Sequence, residues 1–265
     1  MKNKIISSVL FSAIALAGCN AQAEKTNFNN LSQSDKDQIG KIASDYIIDH
    51  PDVLIKASNK LQSQQEEQQK AEAKKMVKAV LANKEKLLSD PATPVYGPQD
   101  AKVALIEFFD YQCAYCSKMA PYMKQIEEKY PKVKFVFKET PIFGSQWEAS
   151  YYAAKVGLWI YKNYGSKAYN NYHNDLFATN KMEGQLQKSD INAVAKKIGA
   201  DISKFDNKEN TSVDISLFKD LGFIGTPSFI VMPVKNANEN NTFVIAGADP
   251  NSIVTAIDKV QKQTN

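Results

Sequence analysis

Hydrophobic positions fall into three regimes along this chain. Near the start, Ile5 to Ala17 is a largely apolar run, too short to span a bilayer. After it, apolar residues recur at helical spacing. Ile39, Ile42, Ala43, Tyr46 and Ile47 share one face, and Ser34 with Asp37 three positions later reads as the helix start. Pro51 ends that helix and suits the first turn of the next. The second helix carries Val53, Leu54, Ala57 and Leu61 on one stripe. Its middle, Gln62 to Lys75, is almost wholly polar, and apolar positions return at Met76, Val77, Val80 and Leu81. A helix that is polar all round is a solvated spacer, not a core element. Residues before about Asp90 therefore read as a helical arm outside the main core. Its apolar stripe needs a cover, and a second copy of the chain is the natural one.

The third regime is mixed. Pro91, Pro94, Gly97 and Pro98 read as a linker with turn chemistry. Val103-Ala-Leu-Ile-Glu-Phe-Phe109 has the continuous apolar character of a strand buried on both faces. Cys113 to Tyr130 reads as a helix with Pro121 as a kink, and Val133 to Glu139 as a second strand. This βαβ order predicts parallel pairing. Trp147 to about Phe218 is helical and aromatic-rich, with a capped helix beginning at Ser189. Gly222 to Pro227 is turn-rich. Ser228 to Met232 and Thr242 to Ala246 read as strands around a polar hairpin, and a last helix starts at Asp249 or Asn251. The order is β-α-β, a helical block, then β-β-α, which is an α/β class. No internal repeat is evident.

Composition narrows the function classes. The 265 residues are 43% hydrophobic and 23% charged, so a packed core is expected. The formal charge of +4 includes Lys2 and Lys4, and no basic stripe gathers, so no nucleic-acid partner is expected. Three cysteines, Cys19, Cys113 and Cys116, are too few for a disulfide scaffold. Residues 1–18 read as a signal peptide: a basic start, then the apolar run. Leu16-Ala17-Gly18-Cys19 resembles the lipobox of bacterial lipoproteins, which implies cleavage before Cys19 and a lipid on its sulfur. The alternative is cleavage after Ala23, in Ala21-Gln22-Ala23, which discards Cys19. Residues 19–33 read as a tether. Both routes predict an exported protein in the periplasm or cell envelope, an oxidising compartment.

Cys113-Ala-Tyr-Cys116 follows the buried strand and opens a helix. Unpaired N–H groups and the helix dipole there favour thiolate over thiol, so the Cys113 pKa is expected to fall. The thiolate is the form that attacks a disulfide, and Cys116, one turn on, can resolve the intermediate. A zinc site would need two further ligands, and only His50 and His173 remain, far away in sequence. A structural disulfide across so small a loop would constrain little, and two incidental buried thiols are the remaining reading. Glu107, inside an apolar strand, is expected to have a raised pKa or to point to solvent at the strand end. His173, in an aromatic-rich helix, reads as a partly buried structural residue. The tyrosines and Met119 near the site read as core or as an apolar surface for unfolded chains.

Glu107-Phe-Phe-Asp-Tyr-Gln-Cys113-Ala-Tyr-Cys116 resembles the active-site segment of the disulfide-bond protein A family. Gly225-Thr226-Pro227-Ser228 before an apolar strand resembles that family's cis-proline loop, and the helical block resembles its insertion. The likeness covers about Val95 to Val260. Ile47 to Lys56 resembles the N-terminal region of a subgroup containing the suppressor-of-copper-sensitivity C and outer-membrane immunoreactive proteins. Some members self-associate through it.

The resemblance implies a thioredoxin-like fold over 91–265 with a helical insertion at about 145–220, preceded by an N-terminal helical oligomerisation arm over 34–90. It implies that Cys113 attacks, that Cys116 resolves, and that Glu107 assists proton transfer at the second cysteine. Thr226 and cis-Pro227 would bind substrate backbone. Two positions depart from the family pattern. Ala114 replaces a frequent proline, and Tyr115 replaces the histidine that supports the thiolate in strongly oxidising members. The implied activity is disulfide oxidation, isomerisation or both, with no metal and no organic cofactor. The implied partners are cysteine-containing exported proteins, a membrane redox partner of oxidase or reductase type, and further copies of the chain. From a different class comes a non-catalytic surface lipoprotein that binds unfolded proteins or copper(I) through two thiolates.

Overall fold

The computed structural model describes residues 31–264. The leader, Cys19 and most of the expected tether lie outside them. The described residues form two units, divided between Ser63 and Gln64.

In the first unit, helix α1 spans Gln33–Asp49. Its cap is Ser32, not Ser34: the Asp35 N–H donates to Ser32 Oγ at 3.2 Å and the Ser32 N–H donates to Asp35 Oδ2 at 3.0 Å. Ser32 and Asp35 have the same three-residue offset as the expected pair, one half-turn earlier. α1 buries no residue, and Ile39, Ile42, Tyr46 and Ile48 are exposed. Helix α2 spans Asp52–Ala82, and Leu54, Ile55 and Leu61 in its first part are also exposed.

The second unit is built on a five-stranded sheet of order β1-β3-β2-β4-β5. Its strands are β1 (Val95–Tyr96), β2 (Val103–Phe109), β3 (Val133–Glu139), β4 (Ser228–Pro233) and β5 (Phe243–Ala246). β2 and β3 run parallel from Val103 opposite Val133 to Phe109 opposite Glu139, as the βαβ order predicts. All other neighbours are antiparallel. β1 lies in what the proline spacing predicts to be a plain linker; two residues are too few to carry a period.

β2 alternates between two cores, which is why it reads as continuously apolar. Leu105 and Phe109 join Met119, Met123, Tyr169, Tyr172 and Ile257 on one face. Ile106 and Phe108 join Val80, Leu87, Leu217, Phe218 and Phe223 on the other. The second core corrects the arm's expected extent. Val80 at the end of α2 and Leu87 in α3 (Lys84–Leu88) are fully buried in it, and Met76 packs against it. The polar stretch ends at Lys75, and the apolar stripe that follows belongs to the sheet.

α4 (Ala114–Lys129) links β2 to β3 and continues through Pro121. The helical block comprises α5 (Glu148–Phe177), α6 (Lys188–Lys197), a short 3-10 turn and α7 (Ser212–Asp220). Gly165, at φ +82, interrupts α5. Gln187 and Asp190 form the capping box of α6, so Ser189 sits in its first turn instead of at the cap. α8 (Pro250–Thr264) packs on β4 and β2, and Asp249 accepts from the Ser252 N–H at 3.0 Å. Lys138 on β3 is wholly buried. Its Nζ lies 3.2 Å from Asp214 Oδ1 of α7 and donates to the Lys86 carbonyl and Thr93 Oγ1. No helix among the described residues is long and apolar enough to cross a membrane.

Candidate active site

Cys113 is the N-cap of α4, with extended backbone (φ −81, ψ 120), and its carbonyl accepts the first helical hydrogen bond, from Ser117 N, at 3.0 Å. The turn before it is fixed by Asp110. The Asp110 carbonyl accepts from the Cys113 N–H at 3.0 Å. Its buried carboxylate accepts from the Gln112 N–H (2.8 Å), the Phe143 N–H (2.9 Å) and the Ser150 hydroxyl (2.8 Å). Gln112 is buried too: its Oε1 accepts from Gly184 N and its Nε2 donates to the Leu186 carbonyl. These two residues join the cysteine turn to the helical block. The sequence analysis missed both. The available signal was an Asx-turn, Asp followed two positions later by a backbone donor, between strand and helix.

The loop from Phe223 to Ser228 reaches the same place from the other end of the sequence. The Thr226–Pro227 bond is cis, as the resemblance implied. The Cys113 thiol donates to the Thr226 carbonyl oxygen at 3.1 Å. The fold therefore brings Cys113, Cys116 and the Thr226–Pro227 loop into one site.

The two thiols differ sharply. Cys113 keeps 4% of its surface and Cys116 keeps 1%. The Cys116 thiol, donating to the Cys113 sulfur, is the main influence holding the Cys113 pKa down to about 6 against its burial. The Thr226 side chain and the N–H groups of Cys116 and Tyr115 add to it. Thr226 acts in both directions. Its carbonyl contact favours the thiol, whereas its buried hydroxyl, unpaired beside the thiol form, is a donor that favours the anion. Burial, and then the neighbouring Cys113, push Cys116 well above the ordinary thiol range. The pair is thus one anion-prone sulfur and one held protonated.

Glu107 does not reach solvent. It is buried in β2, on the face of Leu105 and Phe109. Burial pushes its pKa up to about 8, with the charge of Glu127 adding to the shift. His173 of α5 stands opposite, its Nε2 4.0 Å from Glu107 Oε2. His173 is fully buried, not partly, among the rings of Phe109, Phe137 and Phe177, and burial lowers its pKa to about 3. Glu107 Oε2 and His173 Nδ1 have no hydrogen-bond partner. Met119 is core, whereas Tyr115 is exposed. Among the described residues no group of three His, Cys, Asp or Glu side chains is placed to hold a metal ion.

A family model described as Thioredoxin matches residues 88–243. The chain belongs to the thioredoxin family. A model described as Copper resistance protein ScsC N-terminal domain matches residues 35–68 of this thioredoxin-family chain, where the sequence placed its arm. BcfH of Salmonella enterica Typhimurium is 34% identical, covers 86% of this chain and 96% of its own, and has a TM-score of 0.71. The catalytic domain of Proteus mirabilis ScsC is 25% identical over 70% of this chain and 98% of its own, at a TM-score of 0.59. A thioredoxin-like oxidoreductase from Silicibacter pomeroyi is 27% identical over 67% of this chain and 97% of its own, at a TM-score of 0.55. A Na(+)/H(+) antiporter NhaA 3 of Salinispora tropica is 31% identical over 48 residues, 18% of this chain, and the chain spans only 7% of that protein's length. The fold and the likeness to BcfH and ScsC agree with the sequence reading of the fold.

Proposed function

We propose that this protein is an exported thiol–disulfide oxidoreductase in which Cys113 attacks and Cys116 resolves. The observation that carries the reading is the asymmetry of the pair: an N-cap sulfur with its pKa near 6 beside a buried sulfur held protonated. At neutral pH the first is mostly thiolate, the nucleophile of exchange. In the oxidised protein, a substrate thiolate attacks Cys113 Sγ and the Cys113–Cys116 bond breaks. The electron pair leaves on Cys116 Sγ, which takes up a proton. A second substrate thiolate then releases Cys113 and closes the substrate disulfide. Glu107, protonated near neutral pH, is assigned as the proton donor and acceptor for Cys116.

The lowered Cys113 pKa stabilises the dithiol form, which makes the disulfide form a better oxidant. Here the Cys116 thiol and backbone N–H groups support the anion in place of the absent histidine. The exposed apolar stripe of α1 and early α2 supports self-association of copies through the arm. Several cysteine pairs around one shared space suit disulfide shuffling, so we assign isomerase or mixed activity. The leader supports export and a lipid anchor at Cys19; the exchange reading itself calls for a membrane redox partner that recharges the pair.

Insulin reduction and refolding of a scrambled disulfide substrate test the reading, with Cys113→Ala as control. Loss of both activities in the variant is expected. Activity that survives the substitution favours a chain-binding or copper(I)-binding lipoprotein instead.

A further inference from the structure

Asp110 reaches both cysteines through its main chain. Its carbonyl accepts from the Cys113 N–H. Its N–H is placed by the sheet. The Phe109 carbonyl accepts from the Thr140 N–H at 3.0 Å, on the β3 side. That carbonyl and the Asp110 N–H belong to one trans peptide, so the N–H points the other way, toward β4. The pairing of β2 with β4 ends at Phe108 opposite Ser228, and the same register sets Asp110 opposite Thr226. A continued ladder would give this N–H the Thr226 carbonyl. That oxygen accepts from the Cys113 thiol instead. Among the described residues no oxygen accepts from the Asp110 N–H. It faces the buried Cys116 sulfur.

The side chain holds this N–H still. The three donors to the Asp110 carboxylate come from separate segments: Gln112 in the cysteine turn, Phe143 after β3 and Ser150 in α5. Burial, and then the neighbouring Cys113, push the Cys116 pKa up, and the Asp110 N–H acts against both. A buried sulfur gains most from such a donor when it carries charge, because no water is at hand to solvate it.

We propose that the Asp110 N–H receives the negative charge on Cys116 Sγ when the Cys113–Cys116 bond breaks, and that the Asp110 carboxylate is the positioning group that keeps it there. The inference rests on the exchange reading of this site. An incoming thiolate attacks Cys113 Sγ and a new S–S bond forms. The electron pair of the old bond goes to Cys116 Sγ, and a proton from Glu107 follows. Until the proton arrives the anion sits in the core, and the Asp110 N–H is a fixed dipole already in place to meet it. Charge on the carboxylate itself acts the other way, because it repels that anion. Removing the side chain therefore slows the step if positioning dominates and speeds it if charge dominates.

The test uses the full-length protein and separates a step in which Cys116 leaves from one in which it does not. Reduction of the disulfide form by dithiothreitol expels Cys116 Sγ. Attack of the dithiol form on Ellman's reagent expels thionitrobenzoate from the reagent, and release of its first equivalent is timed. In Asp110→Ala the dithiothreitol rate is expected to fall about tenfold, the loss of roughly one hydrogen bond to an anion. The thionitrobenzoate rate is expected to stay within about twofold of wild type. Asp110→Asn keeps an acceptor without a charge and recovers much of the dithiothreitol rate. Ser150→Ala removes a single donor to the carboxylate and carries the same test if Asp110→Ala does not fold, with a fall of about threefold. Equal losses in the two steps, or a dithiothreitol rate that holds or rises, overturn the proposal. A wild-type disulfide that dithiothreitol fails to reduce sinks the exchange reading with it, whereas reduction at equal rates in wild type and variants sinks the Asp110 role alone.

Discussion

Glu107 Oε2 and His173 Nε2 face each other at 4.0 Å in the core, yet they are not an ion pair. Burial holds the carboxyl protonated up to about pH 8 and the imidazole neutral down to about pH 3. Both groups are uncharged across the neutral range, so the core carries an acid and a base without carrying a charge there.

This pairing predicts a pH dependence of stability. Glu107 rises from 4.5 to about 8 on folding, so its contribution is complete below pH 4.5 and is lost as pH climbs to about 8. His173 falls from 6.5 to about 3, so its contribution is complete above pH 6.5 and is lost on acidification. The window from 6.5 to 8 isolates Glu107 from His173. Cys113 opposes Glu107 there, but it is present in both proteins compared. We expect the stability difference between wild type and Glu107→Gln to change by on the order of 1 kcal/mol per pH unit across that window, by urea unfolding. Parallel curves would remove the buried acid.

Alkylation of Cys113 with iodoacetamide should show a midpoint near pH 6. The Cys116 thiol is the main support of that anion. Cys116→Ala should therefore move the midpoint up toward an ordinary thiol, and Cys116→Ser should move it less. An unchanged midpoint in Cys116→Ala would assign the acidity to the helix start and the Thr226 side chain.

Lys138 and Asp214 form a buried pair 3.2 Å apart. Lys138→Met leaves the Asp214 carboxyl, already raised to about 6 by burial, without its cation, and should cost about 3–5 kcal/mol. Adding Asp214→Leu should recover a large part of the loss, measured by denaturant unfolding. Equal losses in the single and double variants would count against the pair.

Asp110→Ala removes the acceptor of three hydrogen bonds around the cysteine turn. A loss of about 2–3 kcal/mol is expected. Asp110→Asn should recover part of it, because one amide oxygen remains to accept.

Removing the residues before Gln64 should reduce the particle to a single chain by sedimentation. Insulin reduction should persist and disulfide shuffling should fall. A full-length protein that sediments as a monomer would rule out the arm as an association device.

The chain order of apolar runs determined much of this protein. Val103 to Phe109 read as a doubly buried strand, and Cys113, four positions after it, read as opening a helix. The parallel pairing of β2 and β3 and the helical block followed from local period and connection rules. The helix starts were legible only to within a half-turn, because Ser32 and Ser34 offer the same capping chemistry. The resemblance, not periodicity, named Thr226 and Pro227. Only the tertiary structure set Thr226 against a thiol 113 positions away, laid the end of α2 on the sheet, and sealed His173 opposite Glu107. These are contacts between residues remote in sequence. They depend on which faces meet, and a local pattern records that a face is apolar without recording what will cover it.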